Sequence, residues 1–220
     1  NAVWLGVYLK DLLLQAGVKP EAQQLFSRSL DGWTCGFPIE LALDGRDALL
    51  AIGMNGEPLP LEHGFPARLI VPGIYGYVSA TKWLSEIEVN KWSDESGYWI
   101  PRGWARNAPI KTQSRIDVPR AGATITAGPT RVAGVAWAQH TGIEKVEIRI
   151  DGAEWNEAVL GDDISDDTWR LWTFDWQSTS GQHIIQVRAT DKSGYTQTEI
   201  VTGVAPDGAT GWHTREVSIA

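Results

Sequence analysis

One cysteine in 220 residues, Cys35, is the sharpest shortage in this sequence. A lone cysteine excludes an internal disulfide and a cysteine-cluster metal site. No C-x-x-C-H haem-attachment run is present either, so the electron acceptor of any redox reaction must lie elsewhere. No stretch approaches the roughly 18 consecutive apolar residues that a membrane-spanning helix needs, and none reads as a signal peptide. Positive charge is also short: 19 Lys and Arg stand against 27 Asp and Glu, a formal net charge of −8. That balance argues against nucleic acid as a partner. None of these shortages decides the compartment. Hydrophobic residues at 43% and charged residues at 21% fit an ordinary globular chain with core enough for one or two domains. Tryptophan is the excess, with 12 copies that need a structural home.

The first hundred residues read as short elements. Leu9, Leu12, Leu13 and Ala16 fall at helical spacing, and Gly17 is placed to end that helix. Asp31-Gly32 predicts a turn between a strand-like LFSRS and a WTCGF segment. Ile39 to Leu43 reads as a helical turn, and Ala48 to Ile52 as a buried strand. From Met54 to Trp83, MNGEPLPLEHGFPARLIVPGIYGYVSATKW, the chain holds its densest run of Gly and Pro. Asn55-Gly56 predicts a tight turn, Pro58 and Pro60 hold the backbone extended, and a short strand lies between Arg68 and Pro72. His63, Arg68 and Lys82 sit around that strand, a layout that suits a loop-walled pocket for an anion. On residue type alone the alternatives stay open: a His satisfied at the surface, an Arg snorkelling from a strand edge, an exposed Lys.

The same stretch closely resembles the sulfite-oxidase family of molybdopterin-dependent oxidoreductases, whose members carry MNG-x-PLP-x-x-HG-x-P-x-R-[hydrophobic]-VPG…G…KW. The match runs over about thirty positions with nearly fixed spacing, Lys82 standing about one residue further from the VPG turn than in the family. The resemblance implies that His63, Arg68 and Lys82 hold the pterin cofactor and its phosphate, Arg as a fork and Lys as a point charge. It also implies that small residues from Ser79 to Thr81, with Gly73 and Gly76, let backbone N–H groups approach the same anion. Trp4 to Gly17 matches a W-x-G-hydrophobic-x-L-x-x-LL-x-x-AG segment that lies well inside the family's cofactor domain. The metal-ligating Cys of the family, in a Cys-x-Gly-Asn-x-Arg setting, is then expected to precede this chain. Cys35, in DGWTCGFP, is no substitute and reads as a buried or half-buried thiol. The expectation is a molybdenum cofactor in the intact protein, and no metal and no activity in these 220 residues alone.

Gly97 to Ile116 carries Arg102, Arg106, Lys111 and Arg115 with no acid, and Pro101 and Pro109 argue against a regular helix. It reads either as a solvated linker or as the lining of a cleft for an oxyanion such as sulfite. Sulfite oxidases proper place an active-site Tyr in this region, and Trp104 occupies that register here. The resemblance makes Arg102 and Trp104 candidates for the catalytic site, with the phenol near the metal absent.

Past Pro119 the chain turns to strands at short spacing: 132–138, 143–150, 154–160, 168–176, 183–190 and 196–201. Val146, Ile148 and Ile150 alternate with Glu147 and Arg149, the mark of a half-buried strand, and Asp151-Gly152 signals a hairpin. Such spacing predicts an immunoglobulin-like β-sandwich. Trp172, Phe174 and Trp176 fall on one face of WRLWTFDW, and Arg170 falls on it with them. Arg170 is either half of an interdomain salt bridge or, as the resemblance implies, a ligand of the oxyanion. The family likeness extends over essentially the whole chain, and its second domain is a dimerisation domain. The expected fold class is α+β: part of a mixed α/β molybdopterin-binding domain over residues 1–116, then an Ig-like sandwich over 117–220.

Two functions are compatible with these features. One is a fragment of a molybdopterin-dependent oxidoreductase that moves an oxygen atom to or from a small oxyanion, acts as a homodimer, and passes electrons to a separate acceptor. The other is a non-catalytic dimerisation or partner-binding module with a remnant cofactor domain.

Overall fold

A computed structural model describes residues 1–220. The chain divides into two units, Asn1–Ile110 with Ala205–Gly208, and Lys111–Val204 with Ala209–Ala220. No helix is long and apolar enough to cross a membrane.

The first unit is built on two small antiparallel sheets. In one, the Leu49–Met54 strand pairs with Trp4–Tyr8 on one side and Arg68–Ile70 on the other, and Glu57–Pro58 folds back on its end. In the other, Gln24–Ser29 lies between Thr34–Pro38 and Leu84–Asn90. The expected helix forms over Leu9–Ala16 and buries Leu9 and Leu13 from its predicted stripe. Gly17, at φ 80°, ends it by returning its N–H to Leu13 O at 3.0 Å. Those leucines join Leu25, Phe37, Leu69 and Val78 in one core. The mixed α/β expectation holds only coarsely. Strands take 44% of the chain and helices 10%, and in this unit the α-helical segments are Leu9–Ala16 and two of four residues, Glu40–Leu43 and Gly76–Ser79. Trp4–Tyr8 and Leu84–Asn90 account for the difference. Leu5 and Val7 face solvent on the first, which leaves it no hydrophobic alternation to read.

The second unit is a sandwich. Its four-stranded sheet runs Val159–Leu160, Arg170–Ser178, Gly128–Trp137, Gln113–Val118. The five-stranded sheet runs Asn156–Glu157, Ile143–Ile150, Gly181–Asp191, His213–Ile219, Thr124–Ile125. Alternation puts Val146 and Ile148 inward against Ile185, Val187, Val132 and Trp172. One expected strand is absent. Thr196–Val201 is loop, with Ile200 and Val201 67% and 81% exposed. Gln197 fixes this loop through its side chain instead: the buried amide accepts from Ala189 N and Ser114 Oγ and donates to Gly211 O. The place beside Gly181–Asp191 goes to His213–Ile219.

The tryptophans have homes in both units. Trp172 is in the sandwich core, and the Arg149 guanidinium lies 4.9 Å and 4.8 Å from the Trp155 and Trp212 rings. Trp99 and Trp104 pack together in the first unit.

Candidate functional site

The Met54–Trp83 stretch folds around a single turn of 3₁₀ helix, Leu61–His63, closed by Gly64 at φ 108°. Short 3₁₀ turns leave carbonyls without internal partners. Three consecutive carbonyls here each receive a side chain from outside the turn. Trp83 Nε1 donates to Leu61 O at 2.7 Å, Lys82 Nζ to Glu62 O at 3.1 Å, and Arg68 Nη1 to His63 O at 3.1 Å. Glycine is required at 64. A Cβ there would lie 2.9 Å from Lys82 Cβ and 3.2 Å from Arg68 Cβ, in a backbone conformation that side chains rarely adopt. The turn therefore gathers the Arg68 and Lys82 cations at one point.

Neither cation forms a close ion pair, although the Asp31 carboxylate lies within electrostatic reach of Lys82. Arg68 is half-buried, its guanidinium 5.3 Å from the Trp4 ring centre, and burial lowers its pKa from the usual arginine value. Lys82 Nζ rests 4.4 Å over the Trp83 ring. A cation placed on an aromatic face keeps its other N–H groups free for an anion.

The other expected cofactor residues stand differently. The His63 ring is 46% exposed beside Glu62, at 3.6 Å, and it is the His63 carbonyl that serves Arg68. Ser79 and Thr81 are buried, so their side chains do not line a pocket. Ser79 Oγ donates back to Tyr75 O, the usual habit of a helical serine. Thr81 Oγ1 bonds Ser27 Oγ at 2.7 Å and lies 3.1 Å from Cys35 Sγ. This buried polar group supports the underside of the loop. Burial pushes the Cys35 thiol up to about 11, which suits an inert packing thiol.

Arg102 is exposed, its guanidinium 3.7 Å over the Tyr98 ring. Trp104 packs 4.8 Å from Tyr77 and 5.6 Å from Trp99, ring centre to ring centre. The Tyr77 hydroxyl donates to Ala105 O and Pro206 O, and burial, with Asp207 and Tyr75 adding, pushes its pKa up to about 12. Arg170 belongs to the second unit, where its side chain is 17% exposed. Its Nη1 lies 3.0 Å from Asp163 Oδ1, yet neither Nη1 nor Nε makes an aligned hydrogen bond. The ion pair is therefore one of proximity, within the sandwich, and Asp163 is shared with Lys192 Nζ at 3.1 Å.

Residue type alone missed Gly64, Trp4 and Trp83. Gly64 and Trp83 are in the motif, as the G of HG and the W of KW, and there lay the signal. Trp4 had none.

Comparison with known proteins bears on this geometry. Residues 1–99 match the oxidoreductase molybdopterin binding domain, and residues 113–187 a bacterial Ig domain. Mitochondrial sulfite oxidase of Mus musculus is 31% identical over 240 residues, covering 93% of this chain and 43% of that protein. The chain belongs to the sulfite-oxidase family of molybdopterin-dependent oxidoreductases. Within this family the chain also resembles the uncharacterised oxidoreductase YuiH of Bacillus subtilis, 41% identical over 112 residues, half of this chain and 55% of that protein. The sulfane dehydrogenase SoxCD of Paracoccus pantotrophus superposes with a TM-score of 0.76 at 28% identity, over 99% of this chain and 62% of that one. The chain thus spans less than half the length of its mammalian sulfite-oxidase relative. Of the candidate residues, His63, Arg68, Ser79, Thr81 and Lys82 fall inside the molybdopterin-binding match and Arg170 inside the Ig match, while Arg102 and Trp104 lie between the two.

Proposed function

We propose that this chain is part of an oxidoreductase that transfers an oxygen atom to or from a small oxyanion, and that Arg68 and Lys82 hold the anionic part of molybdopterin. The observation that carries the proposal is the pairing of these two cations at the Leu61–His63 turn, neither of them in a close ion pair. The donor set suits a phosphate: a guanidinium fork, an ammonium point charge and a glycine that leaves room for both. When bound, the cofactor supplies the redox-active molybdenum. The protein's part is to fix the anion, and through Arg170 and Arg102 to draw an oxyanion toward it. Relatives named for sulfite and sulfane favour a sulfur substrate, and Trp104 in the register of a tyrosine favours one other than sulfite itself. Electrons then pass to a separate acceptor.

The test is cofactor loading in the full-length protein. Wild type should contain molybdenum near one per chain. Each charge-assisted contact to a phosphate is worth about 1.5–3 kcal/mol, or roughly ten- to hundredfold in affinity. The double variant Arg68→Met, Lys82→Met should therefore lose most of its molybdenum and pterin while keeping its fold by circular dichroism. Normal loading of the variant would remove both residues from the site. A wild-type protein without stoichiometric molybdenum would favour the non-catalytic module.

A homodimer through the sandwich is part of the same proposal. The outer face of its four-stranded sheet exposes Val159 and Leu171, 71% and 63% accessible, between the ion pairs Arg131–Asp175 and Arg115–Asp117. An apolar strip flanked by both charge signs can complement its own copy about a two-fold axis. Light scattering at micromolar concentration should return twice the 24.2 kDa chain mass, and a clean monomer there would count against the dimer.

A further inference from the structure

Four residues other than glycine adopt positive φ: Asn55, Trp83, His140 and Asp151. Asn, Asp and His tolerate that region, whereas a bulky aromatic there is a true outlier. Trp83, at φ 48°, is the only one of the four with that burden. Such conformations persist only where surrounding contacts enforce them, and they gather at functional sites.

Several contacts enforce this one. The indole N–H is held by Leu61 O at 2.7 Å, Trp83 N donates to Gly64 O at 3.3 Å, and Trp83 O accepts from Leu30 N at 2.9 Å. The two residues before it face opposite ways. Thr81 is fully buried toward Ser27 and Cys35, while Lys82 swings out, with its ammonium above the Trp83 ring and one N–H on Glu62 O. Lys82 also lines a depression of about 330 Å³ whose walls include Ser29, Trp33 and Gly76. Asp31 shares that wall; its carboxylate accepts from Trp33 N at 3.0 Å and lies within electrostatic reach of Lys82.

We propose that Trp83 is a positioning residue: its left-handed backbone and its indole together hold the Lys82 ammonium beside Arg68, aimed at the cofactor's anionic group. This rests on the reading of Arg68 and Lys82 as an anion site. A turn residue with no such duty would be better served by glycine, which adopts φ 48° without strain and could leave Lys82 free to fray into solvent.

The experiment uses the 220-residue protein and two readouts. The first is the rate at which acetic anhydride acylates Lys82, followed by mass spectrometry. The second is protection of Lys82 by added inorganic phosphate. In wild type, Lys82 should react slowly and phosphate should slow it further. Trp83→Gly should hold or raise the melting temperature, speed acylation roughly three- to tenfold, as expected for loss of a cation–π contact with its anchoring, and abolish phosphate protection. Trp83→Phe, which keeps the ring and loses the N–H, should fall between and serves as the deciding variant if the glycine variant does not fold. Arg68→Met separates the two claims. If phosphate protects wild type, Arg68→Met removes that protection, and the Trp83 variants behave as wild type, the anion site stands and the role of Trp83 is overturned. If phosphate does not protect wild-type Lys82, the anion site falls and the proposal with it.

Discussion

Replacing Trp172 by alanine should destabilise the second unit by about 3–5 kcal/mol, the range for emptying a large aromatic site in a core. Trp172 is 1% exposed and sits in an inward-facing row with Gly134 and Ile116 across three strands. Its ring lies over Gly134, where a Cβ would come within 2.8 Å of Trp172 Cζ2 and would collide with the Arg115 carbonyl. The glycine and the tryptophan thus make one packing unit, and neighbours cannot collapse into the hole without moving a strand. Against a typical total stability of about 5–15 kcal/mol, such a loss leaves little margin. Trp172→Phe should cost much less than the alanine change. The indole N–H is buried with no acceptor, so phenylalanine gives up volume but no hydrogen bond. Gly134→Ala should also destabilise, by about 1–3 kcal/mol or more, through overpacking. Urea unfolding read by circular dichroism measures all three. An alanine variant no less stable than the phenylalanine variant would mean that this row does not carry the core.

Arg170→Met in the full-length protein should lower kcat/KM roughly ten- to hundredfold, the equivalent of one charge-assisted contact to an oxyanion at about 1.5–3 kcal/mol. Molybdenum content should stay normal, because the residues proposed to hold the cofactor lie in the other unit. Stability should change little. Asp163 keeps Lys192 as a partner, and neither Nε nor Nη1 of Arg170 makes an aligned hydrogen bond that its removal would break. A guanidinium largely buried, facing inward beside Trp172 and with Nε lacking an acceptor, is costly unless something else completes it. Its partner within the sandwich also disposes of the interdomain salt bridge as the role of the Asp163 contact. Unchanged kcat/KM at normal metal loading would end the claim for Arg170, whereas a marked loss of stability would recast it as structural.

Much of the sandwich was legible because burial there follows the period of the backbone. Val146, Ile148 and Ile150 alternate as a strand facing one core must, and the strand is where they place it. Thr196–Val201 misled for a related reason. TQTEIV has strand-like composition, but Ile200 and Val201 face solvent, and the segment is fixed by one buried glutamine that periodicity cannot weigh. In the first unit the motif marked the stretch that folds around the Leu61–His63 turn while hiding the direction of its side chains. The resemblance offers Ser79 to Thr81 as small residues whose backbone N–H groups approach the anion, which says nothing of where their side chains go. Their burial depends on Tyr75, Ser27 and Cys35, the last two more than forty positions away from Thr81. The left-handed backbone at Trp83 has no signature in residue type.

Residues 205–208 return to the first unit after the sandwich has begun, and this limits how the two halves can be inherited. The chain changes units at three places, so no single crossover in the gene exchanges one intact unit for another. Pro206 O accepts from Ala105 N and Tyr77 Oη, and Gly208 lies so close to Tyr75 that a Cβ there would come within 2.7 Å of the phenol oxygen. A sandwich borrowed from another protein would have to bring a loop already shaped to these two tyrosines. Recombination that ignores the loop takes residues 205–208 away from the unit to which they belong.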